Sequence, residues 1–369
     1  MPTDATQTAI IQSTVGHLEA SGLPLTISTE VPVPKLVTPW DVLVRVLAVA
    51  GNPTDFKMPT HFFMENRVVG CDFCGTVEKA GASAKWKVGL RVCGADFPYH
   101  ITQENPQNGA FAQWIAIDSR HLLQVPETWT DLQGAALGAL GWGTAAMAFG
   151  DPDALDLIGR PSKPIQGETM VPVLVYGGGA ATGLVAIQLL KASGYAPVAV
   201  CSAASSERVM GHGAIGTADY SAPDTVEQIR SICGSIPIRH ALDCITDDIS
   251  AATCFAAIGR TGGRYACLEE FSPSWVTRRA VRVKVVMGFE MLGYDVDFGP
   301  VSYARPANPA LQAIGRLWAD EVQALLNQGR LATQPLEEIK GGFEGLLRVV
   351  RMLQSGEKAG KKLVVRITE

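Results

Sequence analysis

Residues 171–195 read VPVLVYGGGAATGLVAIQLLKASGY and predict how the second part of the chain folds. A short strand-like run, VPVLVY, leads into three glycines, and apolar residues at helical spacing follow. At a turn of this kind the first amides of the helix and the positive end of its dipole attract a pyrophosphate. The stretch therefore predicts a dinucleotide site at the start of a βαβ unit.

The glycine turn is an irregular version of the dinucleotide fingerprint. Thr182 stands where the third glycine is expected, and Gly183 follows one residue later. Small residues leave room where strand, helix and ligand meet, although tight helix packing without a ligand is the alternative interpretation. The cofactor residues predicted in this turn are Gly177, Gly178, Gly179, Ala180, Ala181, Thr182 and Gly183.

Strand-like and helical segments alternate after the turn. The strand-like runs are APVAVCS (196–202), TADY (217–220), HALDCIT (240–246) and the end of CFAAIGRTGGRYACL (254–268), with helical patterns between them. Such alternation is typical of βαβ units around a parallel sheet. The second lobe is therefore predicted to be a doubly wound α/β domain.

The end of the second strand bears on which nicotinamide cofactor fits. APVAVCS ends at Cys201 and Ser202 and carries no Asp or Glu, whereas NAD sites usually place an acid there to bind the ribose 2′-hydroxyl. The sequence therefore favours NADPH. Donors to its 2′-phosphate could come from Ser202, Ser205, Ser206 and Arg208, although a solvent-exposed helix position explains Arg208 equally well. Tyr220, in TADY, is expected beside the adenosine end.

The first part of the chain has the pattern of a β-rich lobe. Short strand-like runs at 41–52, 71–81 and 111–117 are separated by Gly and Pro, which suggests a compact barrel. One helix is predicted over 131–150, with Asp131 as its cap. The Pro- and Gly-rich segment 150–170 is predicted to be an exposed connection.

Length and composition exclude several classes of protein. The 369 residues suit two domains, because single cores stop growing at roughly 250 to 300 residues. We expect no transmembrane segment, and a cytoplasmic location, because no long apolar run and no signal-like N-terminus is visible. The net charge of -5 argues against nucleic-acid binding. Eight scattered cysteines are expected to be reduced and buried.

The order of motifs resembles the medium-chain dehydrogenase/reductase superfamily over nearly the whole chain. The resemblance rests on GNPTDFK (51–57), CDFCGTVEKAG (71–81), KVGLRV (87–92) and the glycine turn. It implies a GroES-like β-rich barrel lobe over 1–156 and a Rossmann lobe over 157–295. Residues 296–369 are then expected to return to the first lobe, with GKKLVVRI (360–367) as its closing strand.

Among the branches of this superfamily, the chain resembles the zinc-independent one. Neither a Cys, His and Glu or Asp ligand set nor a four-cysteine loop is visible, so no metal is predicted. Cys71 and Cys74 form a CxxC pair with no second pair at zinc-finger spacing. Buried thiols explain this pair better than metal or redox chemistry does.

Longer strings resemble the stand-alone, trans-acting enoyl reductases that serve fungal polyketide synthases. These strings are NPTDFK (52–57), LVYGGGAATG (174–183), GYAPVAVCS (194–202), RHALDCIT (239–246), CFAAIGRTGGRY (254–265) and GKKLVVRI. The resemblance implies that NADPH reduces the α,β double bond of a polyketide chain attached to an acyl carrier protein. The alternatives left open are a quinone or alkenal reductase acting on free small molecules and a non-catalytic NADPH-binding protein.

The resemblance also implies roles for individual residues. Lys57 and Thr144 are expected near the nicotinamide, with Asn52 nearby and Ile245 among the cofactor contacts. Lys57 would donate to the developing enolate or to the cofactor ribose, and Thr144 would contact the nicotinamide or ribose, while the α-carbon proton could come from water. A surface ion pair explains Lys57 as an alternative, and a hydroxyl bonded to its own helix backbone explains Thr144.

The expected partner is an acidic carrier protein. The stretch WVTRRAVRVK (275–284) offers Arg278, Arg279, Arg282 and Lys284, which could attract such a partner. A solvated strand edge is the simpler explanation. Because charges on a strand edge discourage pairing between subunits, a monomer is conceivable.

Overall fold

The computed structural model describes residues 5–14, 22–100, 104–299, 301–357 and 360–367. Their strands are β1 (Thr6–Gln12), β2 (Leu25–Pro32), β3 (Asp41–Ala50), β4 (Asp72–Ala80), β5 (Arg91–Ala95), β6 (Trp114–Asp118), β7 (Leu123–Gln124), β8 (Pro172–Tyr176), β9 (Ala196–Cys201), β10 (Gly216–Asp219), β11 (His240–Asp243), β12 (Gly263–Cys267), β13 (Val281–Val285), β14 (Leu336–Glu338) and β15 (Lys362–Arg366). Their α-helices are α1 (Thr54–His61), α2 (Asp131–Leu137), α3 (Leu140–Gly150), α4 (Ala181–Ala192), α5 (Ala203–Gly211), α6 (Thr225–Cys233), α7 (Asp248–Ala257), α8 (Pro309–Asn327) and α9 (Gly342–Gln354).

The chain forms two compact units. The first comprises Met1–Leu140, Tyr294–Phe298 and Thr333–Glu369, and the second comprises Gly141–Gly293 and Gly299–Ala332.

These units divide the chain at other places than the predicted boundaries at 156 and 295. Helix α3 lies almost wholly in the second unit because its small residues pack there: a Cβ on Gly143 would overlap the sulfur of Met291. Helix α8 also belongs to the second unit, since a Cβ on Gly315 would come within 2.7 Å of the Met291 side chain. The part of the predicted return segment that joins the first unit is therefore mainly Thr333–Glu369.

Mostly antiparallel strands build the first unit around apolar side chains, and only the short edge strand β14 pairs in parallel, with β15, among the described pairs. One sheet has the order β14, β15, β3, β4, β5, β7, and β6 pairs with the start of β3. The last strand, β15, pairs antiparallel with the end of β3, which confirms the predicted closing strand. The largest side chains of this core include Phe73, Phe111 and Leu122, each less than 2% exposed. Val349 and Leu346 of α9 pack into the same core.

The second unit contains a parallel sheet in the order β10, β9, β8, β11, β12, β13. Each pair of neighbouring strands in this sheet is parallel, as the alternation of strand-like and helical segments predicted. β8, β9 and β11 are almost wholly buried, which explains their continuous apolar runs. The order reverses between β8 and β11, and ligands of doubly wound sheets bind at such a point beyond the carboxyl ends of the strands.

The single helix predicted over 131–150 is wrong in this form, because the segment contains two helices. Gly138 lies between α2 and α3 with φ 45° and ψ -131°, a conformation that only glycine adopts readily. The predicted cap is also shifted by one residue. The Thr130 hydroxyl accepts from the Gln133 amide and the Gln133 side chain bonds back, so Thr130 forms the capping box.

The substitution Gly75→Ala tests how closely β3 and β4 must approach. The Cβ of the alanine would overlap the carbonyl oxygen of Arg45 on the neighbouring strand. We expect the substitution to lower the free energy of unfolding by about 1–3 kcal/mol, measured by urea denaturation. Gly211→Ala is the matched control, because a Cβ at this end of α5 meets nothing within 4 Å. Equal unfolding midpoints for the two variants would show that the strands accommodate the methyl group.

Candidate functional site

The glycine turn of the second unit joins β8 to α4. Gly177 has φ 80°, in the left-handed region, so the chain can leave the strand sharply. Gly183 sits in the first turn of α4, where a Cβ would overlap the carbonyl oxygen of Gly177. The close approach of helix and strand therefore depends on Gly183, one residue after Thr182. Ala180 is the N-cap and makes no side-chain cap, so no side chain of the cap residue covers this helix end.

Three polar side chains converge beside this turn. The Ser202 hydroxyl donates to Ser205 Oγ at 3.2 Å, and Arg208 Nη2 donates to the same oxygen at 3.0 Å. A Cβ on Gly179 would lie 3.0 Å from Ser205 Oγ and 3.8 Å from Arg208 Nη2. Arg208 Nε is buried and has no hydrogen-bond partner among the described residues. The structure thus brings Ser202, Ser205 and Arg208 to the glycine turn.

Ser206 lies apart from this group. Its hydroxyl forms a 2.6 Å hydrogen bond with Thr217 Oγ1 on β10. Three of the four candidate phosphate donors are therefore together, and the fourth joins α5 to the sheet.

Two exposed apolar residues lie at the carboxyl ends of the neighbouring strands. Tyr220 directly follows β10 and is 53% exposed, and Ile245 follows β11 and is 42% exposed. A Cβ on Gly177 would lie 3.0 Å from Ile245 Cγ1, so Ile245 borders the glycine turn. Large apolar side chains that remain exposed at this edge are suited to contact a planar ligand.

The loop that carries Ile245 is held by Asp243, a residue that the sequence analysis missed. Asp243 is fully buried, and its Oδ1 accepts from the amides of Ile245 and Thr246. Its Oδ2 accepts from the Tyr265 hydroxyl at 2.7 Å. Burial raises the pKa of the Asp243 carboxyl. An acid at the end of the apolar run HALD was the available signal.

Thr144 lies on α3 in the second unit and is only 8% exposed. Its hydroxyl faces Gly288, where a Cβ would overlap Thr144 Oγ1. The same helix begins close to the glycine turn, because a Cβ on Gly141 would lie 3.8 Å from the Cα of Thr182. Thr144 is therefore on an element that approaches the start of α4.

Asn52 and Lys57 lie in the first unit, at the turn between β3 and α1. Asp55 fixes this turn, because its Oδ2 accepts from the Asn52 amide at 2.7 Å. Lys57 is half-buried on the first turns of α1, and its amide donates to the Pro53 carbonyl. The sequence NPTDFK thus builds a tight turn into α1, with Asn52 just before the helix and Lys57 on it.

The Asp55 carboxyl is an unusual group within this turn. It is 3% exposed, and its Oδ1 has no hydrogen-bond partner among the described residues. Burial raises the pKa of Asp55 to about 7, and the negative charge of Asp72 raises it further, against the lowering effects of the Asn52 amide and Lys362. Asp55 therefore changes protonation near neutral pH.

The CxxC pair is buried, as the sequence predicted. Cys71 is 3% exposed and Cys74 is 0% exposed. Burial raises the pKa of Cys74 to about 12 and that of Cys71 well above its ordinary value, so both thiols stay protonated. Within the described residues no group of His, Cys, Asp and Glu could hold a metal ion. All eight cysteines of the sequence lie in described segments and are free.

Two of the four basic residues predicted to attract a partner form contacts within the second unit. Arg278 donates to the carbonyl oxygens of Phe255, Ile258 and Gly259 around the end of α7. Lys284 Nζ lies 3.3 Å from Asp151 Oδ2. Arg279 and Arg282 remain exposed. Across the described segments, no helix has the length and apolar character to cross a membrane.

Comparison with known proteins decides the family. Trans-enoyl reductase sthE of Phaeosphaeria nodorum is 56% identical over 361 residues, covering 98% of this chain and 97% of the relative. The chain belongs to the trans-enoyl reductase family. Trans-enoyl reductase calK of Penicillium decumbens is 48% identical, with 98% of both chains covered. This trans-enoyl reductase is accordingly an oxidoreductase, as the sequence predicted.

The fold comparisons agree with both predicted lobes. Residues 38–127 match the alcohol dehydrogenase GroES-like domain, which confirms the GroES-like prediction. An alcohol dehydrogenase superfamily protein from Novosphingobium aromaticivorans has a TM-score of 0.72 at 20% identity, with 99% of this chain and all of that chain (100%) covered. CurK enoyl reductase has a TM-score of 0.68 at 16% identity, with 97% and 99% covered. At these identities the two structures establish the shared fold alone.

Asp55→Asn tests the buried carboxyl. Folded Asp55 holds a proton up to about pH 7, whereas the unfolded chain releases it near its ordinary pKa of 3.8. The protonated carboxyl therefore favours the folded state most below pH 3.8, and the free energy of unfolding falls as the pH rises from 3.8 to about 7. Asparagine keeps an acceptor for the Asn52 amide without the charge. We expect the free energy of unfolding of the variant to gain about 2–3 kcal/mol relative to wild type between pH 5 and 8.

Urea denaturation at several pH values measures this difference. Asp153→Asn, at an exposed carboxylate, is the control and should run parallel to wild type. Parallel curves for Asp55→Asn as well would show that Asp55 is ionised throughout this range.

Proposed function

We propose that this trans-enoyl reductase transfers a hydride from NADPH to the β-carbon of an α,β-unsaturated polyketide thioester on an acyl carrier protein. The likeness to the trans-acting enoyl reductases of fungal polyketide synthases supports the choice of substrate. The arrangement of Ser202, Ser205 and Arg208 beside Gly179 supports the choice of cofactor and is the observation on which this proposal rests.

The chemistry of these residues fits a 2′-phosphate. Arg208 offers a charged donor whose Nε is buried without a partner among the described residues, and two hydroxyls stand beside it. β9 ends at Cys201 with no carboxylate in the residues that follow directly, so nothing there repels the phosphate. The start of α4 has no side-chain cap, so its first amides can bind the pyrophosphate at the turn.

Lys57 has the main part in the proposed mechanism. When bound, NADPH would supply the hydride, and negative charge would develop on the thioester oxygen of the substrate. The Lys57 ammonium stabilises this enolate by donating a hydrogen bond, an effect that is strongest where water is excluded. Thr144 would contact the nicotinamide or its ribose, and water would provide the proton for the α-carbon.

The hydrogen bonds that Asn52 makes inside the protein limit how it can bind the proposed cofactor. Its two amide hydrogens point to Ala50 and Asp72, and its Oδ1 accepts from Lys362. An amide oxygen has a second lone pair, so Asn52 can meet a ribose hydroxyl only as an acceptor.

The proposed partner is an acidic carrier protein. Arg279 and Arg282 are the members of the basic stretch that remain exposed, and they would steer such a partner by charge. Charged residues on β13 also discourage pairing along this sheet edge, which supports a monomer.

Arg208→Ala tests the cofactor assignment. Loss of a charged donor to a phosphate weakens binding by about 1.5–3 kcal/mol, so the Kd for NADPH should rise roughly 10- to 150-fold while the Kd for NADH changes little. Fluorescence titration of the reduced cofactor measures both. Ser206→Ala is the control and should leave both constants unchanged, because Ser206 bonds to Thr217. Equal losses for NADPH and NADH would contradict a 2′-phosphate contact at Arg208.

Lys57→Ala tests the reaction itself. NADPH oxidation is followed with one unsaturated acyl chain offered as a pantetheine thioester and as a free enone. We expect wild type to reduce the thioester and Lys57→Ala to lose about 10²–10³-fold in kcat, because an enolate donor is removed. Lys79→Ala, on the exposed end of β4, should match wild type.

The other outcomes point to different functions. Turnover of the enone alone would favour a quinone or alkenal reductase, and full activity of Lys57→Ala on the thioester would remove Lys57 from the mechanism.

A further inference from the structure

A buried cluster of three polar side chains lies where β3, β4 and β15 meet in the first unit. Asp72 is 1% exposed, and Asn52 and Lys362 are each 5% exposed. Asp72 opens β4, Asn52 follows β3 and Lys362 opens β15. Lys362 Nζ lies 3.1 Å from Asp72 Oδ2, so a complete ion pair is enclosed in the protein.

The ion pair dictates which way the Asn52 amide points. A carboxylate can only accept and an ammonium can only donate. Asn52 Nδ2 therefore faces Asp72 Oδ2, at 2.9 Å, and Asn52 Oδ1 faces Lys362 Nζ. The second amide hydrogen is directed to the Ala50 carbonyl at 3.3 Å. The acceptor side of Asn52 is thus fixed by two charges and does not depend on a ligand.

Asp72 also holds the start of α3. Its Oδ1 accepts from the amides of Ala139 and Leu140, both at 2.9 Å. Gly138 makes this possible, because a Cβ there would overlap the carboxylate. Within the first unit, one carboxylate therefore binds both the Asn52 turn, which leads into the helix of Lys57, and the amides of Ala139 and Leu140, where α3 begins.

An enclosed ion pair is a costly way to fill a core, since apolar residues of similar volume are often as stable or more so. Such a pair is useful where it fixes one arrangement of neighbouring polar groups. Here those neighbours are Asn52 and the amides at the start of α3.

We propose that Asp72 and Lys362 are positioning residues of the enoyl reductase, which act by holding Asn52 with its oxygen as the acceptor for a cofactor hydroxyl and by fixing the start of α3. This inference rests on the proposed function, in which Asn52 and Thr144 contact NADPH. It assigns a role in the site to the last strand of the chain.

A charge-balanced double variant separates positioning from stability. Lys362→Met and Asp72→Asn alone each leave one charged partner buried without its counterpart, so both should unfold at lower urea concentration than wild type. The double variant removes both charges and should recover most of the midpoint. In the double variant the remaining oxygen at position 72 is needed by the amides of Ala139 and Leu140, so the new Nδ2 faces Asn52. Because Asn52 Nδ2 is also a donor, we expect the Asn52 amide to flip and exchange the positions of its oxygen and nitrogen.

We expect the double variant to bind NADPH at least tenfold more weakly than wild type, and to lose at least tenfold in kcat on the enoyl thioester, despite its recovered urea midpoint. Fluorescence titration gives the Kd without turnover. Lys361→Met is the matched control, because Lys361 is the neighbouring residue and pairs with Glu337 at the surface. It should leave the midpoint, the Kd and kcat unchanged.

Wild-type values of Kd and kcat in a stable double variant would overturn the proposal and leave the pair a purely structural role. A double variant that does not recover the midpoint would overturn it as well, because the pair would then be required for folding. If wild type binds NADPH but fails to reduce the thioester, the proposed function fails, and the Kd of the double variant still decides the role of Asp72 and Lys362.

Discussion

The Asp72 carboxylate is the constraint on which the first unit depends. A negative charge that is 1% exposed must find a cation and hydrogen-bond donors inside the protein. Lys362 supplies the cation, while Asn52, Ala139 and Leu140 supply donors. These partners come from three separate segments of the chain, so satisfying one carboxylate fixes their mutual arrangement.

The second unit depends on a different constraint, the path of the backbone at the carboxyl edge of a parallel sheet. Gly177 turns the chain and Gly183 lets α4 approach β8. Asp243 then holds the Ile245 loop beside this turn from the next strand. Main-chain geometry therefore shapes this edge, and the side chains of Ser202, Ser205 and Arg208 give it chemical character.

Sequence patterns predicted the features that arise from neighbouring residues. The alternation of strands and helices from residue 171 and the glycine turn are both local. The closing strand was predicted by family resemblance. The hydrogen bonds of Asp72 and Asp243 could not be read from the sequence, because their partners are distant in the chain. Arg278 was predicted as a residue that could attract a partner, and its contacts within the protein were missed for the same reason. Its carbonyl partners precede it by 19 to 23 positions.

The break between α2 and α3 marks the limit of pattern analysis. Small residues fill 131–150, and glycine within such a run is compatible with one helix or with two. The carboxylate of Asp72 decides between them, because it occupies the space where a Cβ on Gly138 would lie and binds the amides that follow. Small residues on α3 likewise determine its packing in the second unit, which the sequence pattern alone did not indicate.

The position of β15 affects the order in which the two units can fold during synthesis. Asp72 and Lys362 are 290 positions apart, so a chain that emerges from the ribosome with its amino end first contains Asp72 long before Lys362 is added. Until then the end of β3 that pairs with Val364 and Val365 is an open strand edge, a known starting point for aggregation. The residues of the second unit are complete by Ala332. The order of synthesis therefore lets the second unit form while the first unit still lacks β15.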